Sequence, residues 1–253
     1  GYHGWHDWYL SANLQNNESL DNHLLKGLES KGVPDSLKDT IYTFDYNNLE
    51  TLENIVKRND IGTIKMEVHR NIEPKDGFLQ HVRDLANKNN IILIFDECTS
   101  GFRESYGGLH IKYEVEPDMA IFGKALGNGY AITAVLGRKE IMQEAQSTFI
   151  SSTFWTERIG PSAAIKTLEV MKREESWKKI SNMGLYIKDI WEKLSNKYEL
   201  KINISGISAL PNFSIISNDA LKYKTLITQE MLKNNFLASN SVYVCLKHDN
   251  KII

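Results

Sequence analysis

Cysteine is scarce: Cys98 and Cys245 are the only two in 253 residues. Two thiols are too few for a disulfide framework or a tetrahedral thiolate site, and they point to a reducing compartment, the cytoplasm. Charge of one sign is lacking as well, since 30 Lys and Arg stand against 32 Asp and Glu for a formal charge of −2. That balance leaves no electrostatic footprint for nucleic acid or for an anionic membrane surface. No apolar run approaches the roughly 18 residues a bilayer span needs, and no basic-then-apolar leader precedes the first motif. Neither an internal repeat nor a long low-complexity tract is visible. The nucleotide-binding loops are missing too: Gly127-Asn128-Gly129 is not a Gly-x-Gly-x-x-Gly turn, and no Gly-x-x-x-x-Gly-Lys-[Ser/Thr] occurs. With 42% hydrophobic residues, the expectation is a soluble globular protein working on small molecules, large enough for one core or one core plus part of a second. The chain also lacks an initial methionine, opening on Gly1-Tyr2-His3-Gly4-Trp5-His6-Asp7-Trp8 and stopping at Ile253. It is expected to be an internal piece of a longer polypeptide.

Against those absences stand two runs of one design. Ile91-Ile92-Leu93-Ile94-Phe95 ends in Asp96-Glu97, and Ile121-Phe122-Gly123 ends in Lys124 before Ala125-Leu126-Gly127-Asn128-Gly129. Each reads as a buried strand that delivers a charge at its carboxyl end. In an open α/β sheet that edge is where ligands bind. An amine that forms a Schiff base and an acid that pairs with a pyridinium nitrogen are what pyridoxal phosphate chemistry requires of a protein.

The order of elements supports such a sheet. A helix is predicted from Asn48 to Arg58, a strand from Gly62 to Val68, an amphipathic helix from Gly77 to Asn90, and strands over 91–96, 118–122 and 130–136. A helix then starts at Arg138, and residues 160–196 are almost all helical. After Tyr198 the pattern is strand, helix, strand, the last over Val242 to Leu246. Residues 11–40 read as loop. The fold class is α/β with a largely parallel sheet, divided into 1–175 and a smaller α/β part over 176–253.

At the points where these elements line up, the chain resembles the class III aminotransferases of fold type I, the group that includes glutamate-1-semialdehyde aminomutase. The matching stretches are Tyr2-His3-Gly4, Glu67 to Asn71, Ile94 to Arg103, Pro117-Asp118, Phe122 to Gly129, and Ser151 to Gly160. The resemblance implies a large domain binding pyridoxal 5'-phosphate and part of a small C-terminal domain. It implies that Lys124 holds the cofactor and moves the substrate proton, and that Asp96 keeps the pyridine nitrogen protonated. Tyr2, with His3 beside it, would stack on one face of the ring and Cys98, where valine is more usual, would pack on the other. Asn71 would approach the phenolic oxygen, although Glu67-Val68-His69-Arg70-Asn71 departs from the family's Glu-Pro form. Glu67 fits support better than catalysis. Thr153 would reach the phosphate of a neighbouring subunit, making a homodimer with shared sites. The main phosphate loop would precede Gly1, and the residues that select the substrate carboxylate would follow Ile253.

The implied reaction is amino transfer between an amino compound and an oxo compound. An intramolecular 2,1-aminomutase stays open, as does a catalytically silent cofactor-binding protein. His3, His6 and Asp7 could hold a metal, but no companion cluster with ligand spacing accompanies them, so no metal is expected.

Overall fold

The computed structural model describes residues 6–21, 27–58, 60–154 and 156–253; Tyr2 and His3 lie outside the described residues. The chain divides into two compact units, one of Gly1–Glu67 with Pro74–Ile94 and one of Val68–Glu73 with Phe95–Ile253.

In the first unit, α1 (His6–Leu10) runs into single-turn helices over the stretch expected to be loop. Side chains replace ladders there. Buried Asn13 donates to the Leu28 carbonyl at 2.7 Å and accepts from the Leu20 N–H at 3.1 Å. It thereby satisfies backbone groups that Tyr9, Ala12 and Leu20 bury around it. Helix α2 (Leu49–Arg58) buries Leu52. Strand β1 (Thr63–Glu67) buries Ile64 and Met66, the period-2 signature of a strand. Helix α3 (Phe78–Lys88) buries Phe78, Leu79, Val82 and Ala86, one helical face, and Gly77 starts it in a left-handed conformation at φ 76°.

Strand β2 (Ile92–Glu97) follows, its last three residues belonging to the second unit. After it come α4 (His110–Tyr113), β3 (Met119–Phe122), β4 (Ala134–Gly137) and α5 (Lys139–Gln143). The strands order as β1-β2-β3-β4, with β4 antiparallel to β3 from Met119↔Gly137 to Phe122↔Ala134. The expected α/β class with a mostly parallel sheet flanked by helices is what forms. The expected strand over 130–136 begins only at Ala134. The cause is local: the Tyr130 N–H donates back to the Gly127 carbonyl at 3.1 Å, which closes a turn instead of opening a ladder.

Helices α6 (Ile159–Glu174) and α7 (Ser176–Lys197) fill the long helical stretch, broken where Glu175 turns left-handed at φ 48°. Ala164 of α6 packs with Ala120, Phe122 and Leu126, so α6 covers the end of β3. Then come β5 (Ile202–Ser205), β6 (Asn212–Ile215) and α8 (Ala220–Lys233). The strand expected at Val242 to Leu246 does not form. Val242 and Val244 donate to the carbonyls of Pro211 and Ala209, and the proline has no N–H to return a bond. Ser241 makes an isolated bridge to Asn212. Val244 is nevertheless buried with Ile180, Ile187 and Ala209, so its apolar pattern reports packing rather than a ladder. No helix of the described residues is long and apolar enough to cross a membrane.

Candidate active site

Strand β2 alternates strictly. Leu93, Phe95 and Glu97 are fully buried, while Asp96 is only partly so. Burying Leu93 and Phe95 contributes about 1.5–3 kcal/mol each, which pins the strand's register and with it the side on which Asp96 emerges. Asp96 Oδ1 accepts the Cys98 N–H at 3.1 Å. The chain then turns tightly, with the Gly101 N–H donating to the Glu97 carbonyl at 2.8 Å. A Cβ on Gly101 would stand 2.7 Å from that carbonyl and 2.7 Å from the Phe122 ring, so only glycine lets the turn close against β3. Buried Arg103 donates from Nε to the Thr99 carbonyl at 2.6 Å, with its guanidinium 5.2 Å from the Tyr243 ring centre.

Lys124 faces that turn. Its Nζ donates to Thr99 Oγ1 at 2.9 Å and lies 3.7 Å from Cys98 Sγ. Buried Leu126 anchors the single-turn helix Lys124–Leu126, and Gly127 and Asn128 donate to the Lys124 carbonyl at 3.2 and 3.1 Å. Lys124 itself sits at φ 41°. A non-glycine residue in the left-handed region costs on the order of 1–3 kcal/mol and persists where the surroundings over-determine it, a pattern that clusters at functional sites.

Gly123 sets the spacing between the two turns, because a Cβ there would meet Cys98 Sγ at 2.7 Å. Gly123→Ala is therefore expected to lower stability by about 1–3 kcal/mol, the usual result of overpacking. Thermal melting checks this, and a variant that melts with the parent would show that the Cys98 turn simply moves aside.

The structure thus brings Lys124 to Cys98 and Thr99, and Asp96 to the same turn's backbone. It does not bring Asn71 or Thr153 into that cluster. Both side chains are exposed. Asn71 is tied through its backbone, where its carbonyl accepts the Gly206 N–H at 3.4 Å while Arg70's accepts that of Ile207 at 3.1 Å. Thr153 follows Ser152, whose hydroxyl accepts the Phe154 N–H at 3.2 Å. His69, in the same matching stretch, lies 3.0 Å from the Tyr113 hydroxyl through Nδ1. Burial holds the imidazole below its usual range and pushes the phenol up to about 12, so the pair braces the chain as neutral groups. Among the described residues no group of three or more His, Cys, Asp and Glu converges as a metal site would require.

Sequence reasoning gave no role to Thr99, to Gly123, or to a buried set around Glu97. Glu97 is fully buried, with Oε1 accepting from the His110 N–H and meeting His110 Nδ1, each at 2.9 Å, and Oε2 accepting the Ser100 hydroxyl. The available signal was the alternation of β2: a carboxylate directly after Asp96 must point to the opposite face.

The Aminotransferase class-III family model matches residues 46–240. The chain is 35% identical to the 3-aminobutyryl-CoA aminotransferase of Cloacimonas acidaminovorans (strain Evry), over 99% of this chain and 60% of that protein. It is 29% identical to the glutamate-1-semialdehyde 2,1-aminomutase of Methanosphaera stadtmanae, over 96% of this chain and 60% of that protein. The chain therefore spans about 60% of the length of these curated relatives. Among solved structures, the FumI protein of Sphingopyxis sp. MTA144 in its PLP internal aldimine form superposes with a TM-score of 0.82 at 20% identity, covering 89% of this chain and 57% of that one. An omega-transaminase from Sphaerobacter thermophilus does so with a TM-score of 0.81 at 18% identity, covering 97% and 61%. Those likenesses show the fold, and the family match with the first relative settles the membership: this chain belongs to the class III aminotransferases.

Proposed function

We propose that the protein carrying this chain is a pyridoxal-phosphate-dependent aminotransferase that moves an amino group between an amino compound and an oxo compound through Lys124. The observation that carries this reading is the Lys124 amine held on a strained turn against Cys98 and Thr99, the turn that follows Asp96. An amine, a carboxylate and a small, polarisable thiol at one sheet edge are a donor set that fits the cofactor. Pyridoxal phosphate, when bound, supplies a carbonyl for amines and a ring that accepts electron density.

The chain's own residues do the rest. Lys124 Nζ holds the cofactor and carries a proton to and from the substrate carbon, the work of a positioned general base and acid. The Asp96 carboxylate keeps the proton on the ring nitrogen. Cys98 packs on one face of the ring, and Tyr2, with His3 beside it, covers the other and excludes water. Asn71 donates to the phenolic oxygen. Thr153 reaches the phosphate in the site of a second copy, so the protein works as a homodimer, in the cytoplasm. Residues 1–175 form part of the large cofactor domain, and 176–253 a connecting helix and part of the small C-terminal one.

A relative named as an acyl-CoA aminotransferase at 35% identity favours amino transfer, and relatives named as aminomutases, one at 29%, keep the intramolecular reaction as a second reading. Full-length protein loaded with cofactor should convert 3-aminobutyryl-CoA together with an oxo acid into an oxo-acyl thioester and an amino acid. Isomerisation of an amino-aldehyde with no second substrate would replace the first reading by the second. Turnover of neither kind would leave only a silent cofactor binder.

Assembly gives a separate test. Thr153→Val deletes one hydroxyl at nearly constant volume and should weaken cofactor retention while leaving the Lys124 chemistry. In a hybrid of one Lys124→Ala and one Thr153→Val subunit, one site carries both lesions and the other neither, so half the sites should regain parental cofactor affinity in a titration. Recovery of none would place Thr153 in its own subunit's site, and unchanged cofactor retention in Thr153→Val itself would place it in no site.

A further inference from the structure

We propose that Glu97, Ser100 and His110 are positioning residues for Lys124, acting through the turn that presents Cys98 and Thr99. The inference rests on the proposed role of Lys124, but its geometry stands by itself.

Glu97 has no exposed surface, and His110 is 9% exposed. A carboxylate removed from water is tolerated only when donors replace its hydration. Here three are supplied: the Ser100 hydroxyl on Oε2, and the His110 N–H and Nδ1 on Oε1. A carboxylate is an acceptor only, so Nδ1 must carry the imidazole hydrogen. His110 opens α4, while Ser100 lies three residues beyond Glu97. The acid therefore clamps the start of that helix to the middle of the turn.

Between Glu97 and Ser100 lie Cys98 and Thr99, the residues that Lys124 Nζ contacts. Both are also held through the backbone: Thr99 through its carbonyl by Arg103, and Cys98 through its N–H by Asp96. The turn is also packed from outside. Gly108 admits the His110 ring and Glu97 Oε1, which a Cβ would meet, the latter at 2.9 Å. The Phe95 ring lies tilted against the imidazole, with centres 6.1 Å apart. Loss of the Ser100 hydroxyl takes the donor from Oε2, and loss of the imidazole leaves Oε1 with the backbone N–H alone, so either change is expected to let the turn open toward water. Lys124 would then lose its hydroxyl partner without any change to Lys124 itself. Asp96 and Glu97 thus divide the work at the end of β2: alternation sends the first toward the ligand edge and the second inward to hold the turn's shape.

The test reads the turn directly, without cofactor turnover. Full-length apo protein is alkylated at cysteine and reductively methylated at lysine, and peptide mapping gives rates at Cys98 and Lys124. Exposed Cys245 and the surface lysines serve as internal references. His110→Ala should raise labelling of Cys98 relative to those references on the order of tenfold, and that of Lys124, already exposed, to a smaller extent. Ser100→Ala, which takes away the hydroxyl that Oε2 accepts, should do the same. His110→Gln, whose amide can donate to the same oxygen, should return both rates toward those of the parent. Ile187→Val, a core change far along the chain in α7, should leave them alone. Parental rates in a folded Ser100→Ala or His110→Ala protein would overturn the proposal. Equal rises in Ile187→Val would overturn it too, since general loosening would then account for the effect. A protein that failed to transfer amino groups would refute the aminotransferase reading in its own assay while leaving these labelling rates as they are.

Discussion

If the proposed function holds, Lys124→Ala in the full-length protein is expected to abolish turnover while leaving the fold nearly as stable as the parent. Proton transfer by a positioned side chain contributes typically 10²–10⁴-fold, and on the proposed role this variant would lose the covalent attachment of the cofactor as well. The whole chemical rate should therefore fall below detection rather than to a fraction. The fold should persist because the turn is held by backbone bonds to the Lys124 carbonyl and by buried Leu126. The removed side chain is exposed, and alanine keeps the backbone strain at φ 41° no worse than lysine does. Steady-state rates with matched thermal melts check both halves. A folded variant retaining a tenth of the parental rate would show that another amine does the work.

Asp96→Asn is expected to be the next largest loss, on the order of 10²–10³-fold in turnover number, the usual scale for removing one preorganised electrostatic group. The substitution isolates the charge. Asparagine keeps the shape and still offers Oδ1 to the Cys98 N–H, so the turn and much of the cofactor affinity should survive. What goes is the anion that, on the proposed reading, would keep a proton on the ring nitrogen. Kinetics and cofactor titration on the same preparation separate these effects. A rate within about twofold of the parent would mean that the carboxylate only caps the strand.

Much of this was legible in the chain because periodicity is a local property. The buried face of α3 and the alternating burial of β1 follow from side-chain spacing alone. So does the placing of Asp96 and Lys124 at strand ends. The errors have physical causes that spacing does not carry. Val242 to Leu246 has a strand's composition, but its neighbours at 209–211 include a proline that cannot return a hydrogen bond. Tyr130 to Thr133 was apolar enough for a strand, yet a turn closed by Gly127 takes its start. The clamp on Glu97 was hidden because His110 is 13 residues away, and only the folded turn makes them neighbours. Thr99 was hidden for the same reason with respect to Lys124, 25 residues on.

The central claim is that one amine, that of Lys124, holds the cofactor. Borohydride reduction of the cofactor-loaded full-length protein, followed by peptide mapping, tests it most directly. The cofactor's mass should appear on the peptide containing Phe122-Gly123-Lys124 at close to one per chain, and it should vanish from that peptide in Lys124→Ala. Label on any other lysine, or none on a protein that turns over, would contradict the account.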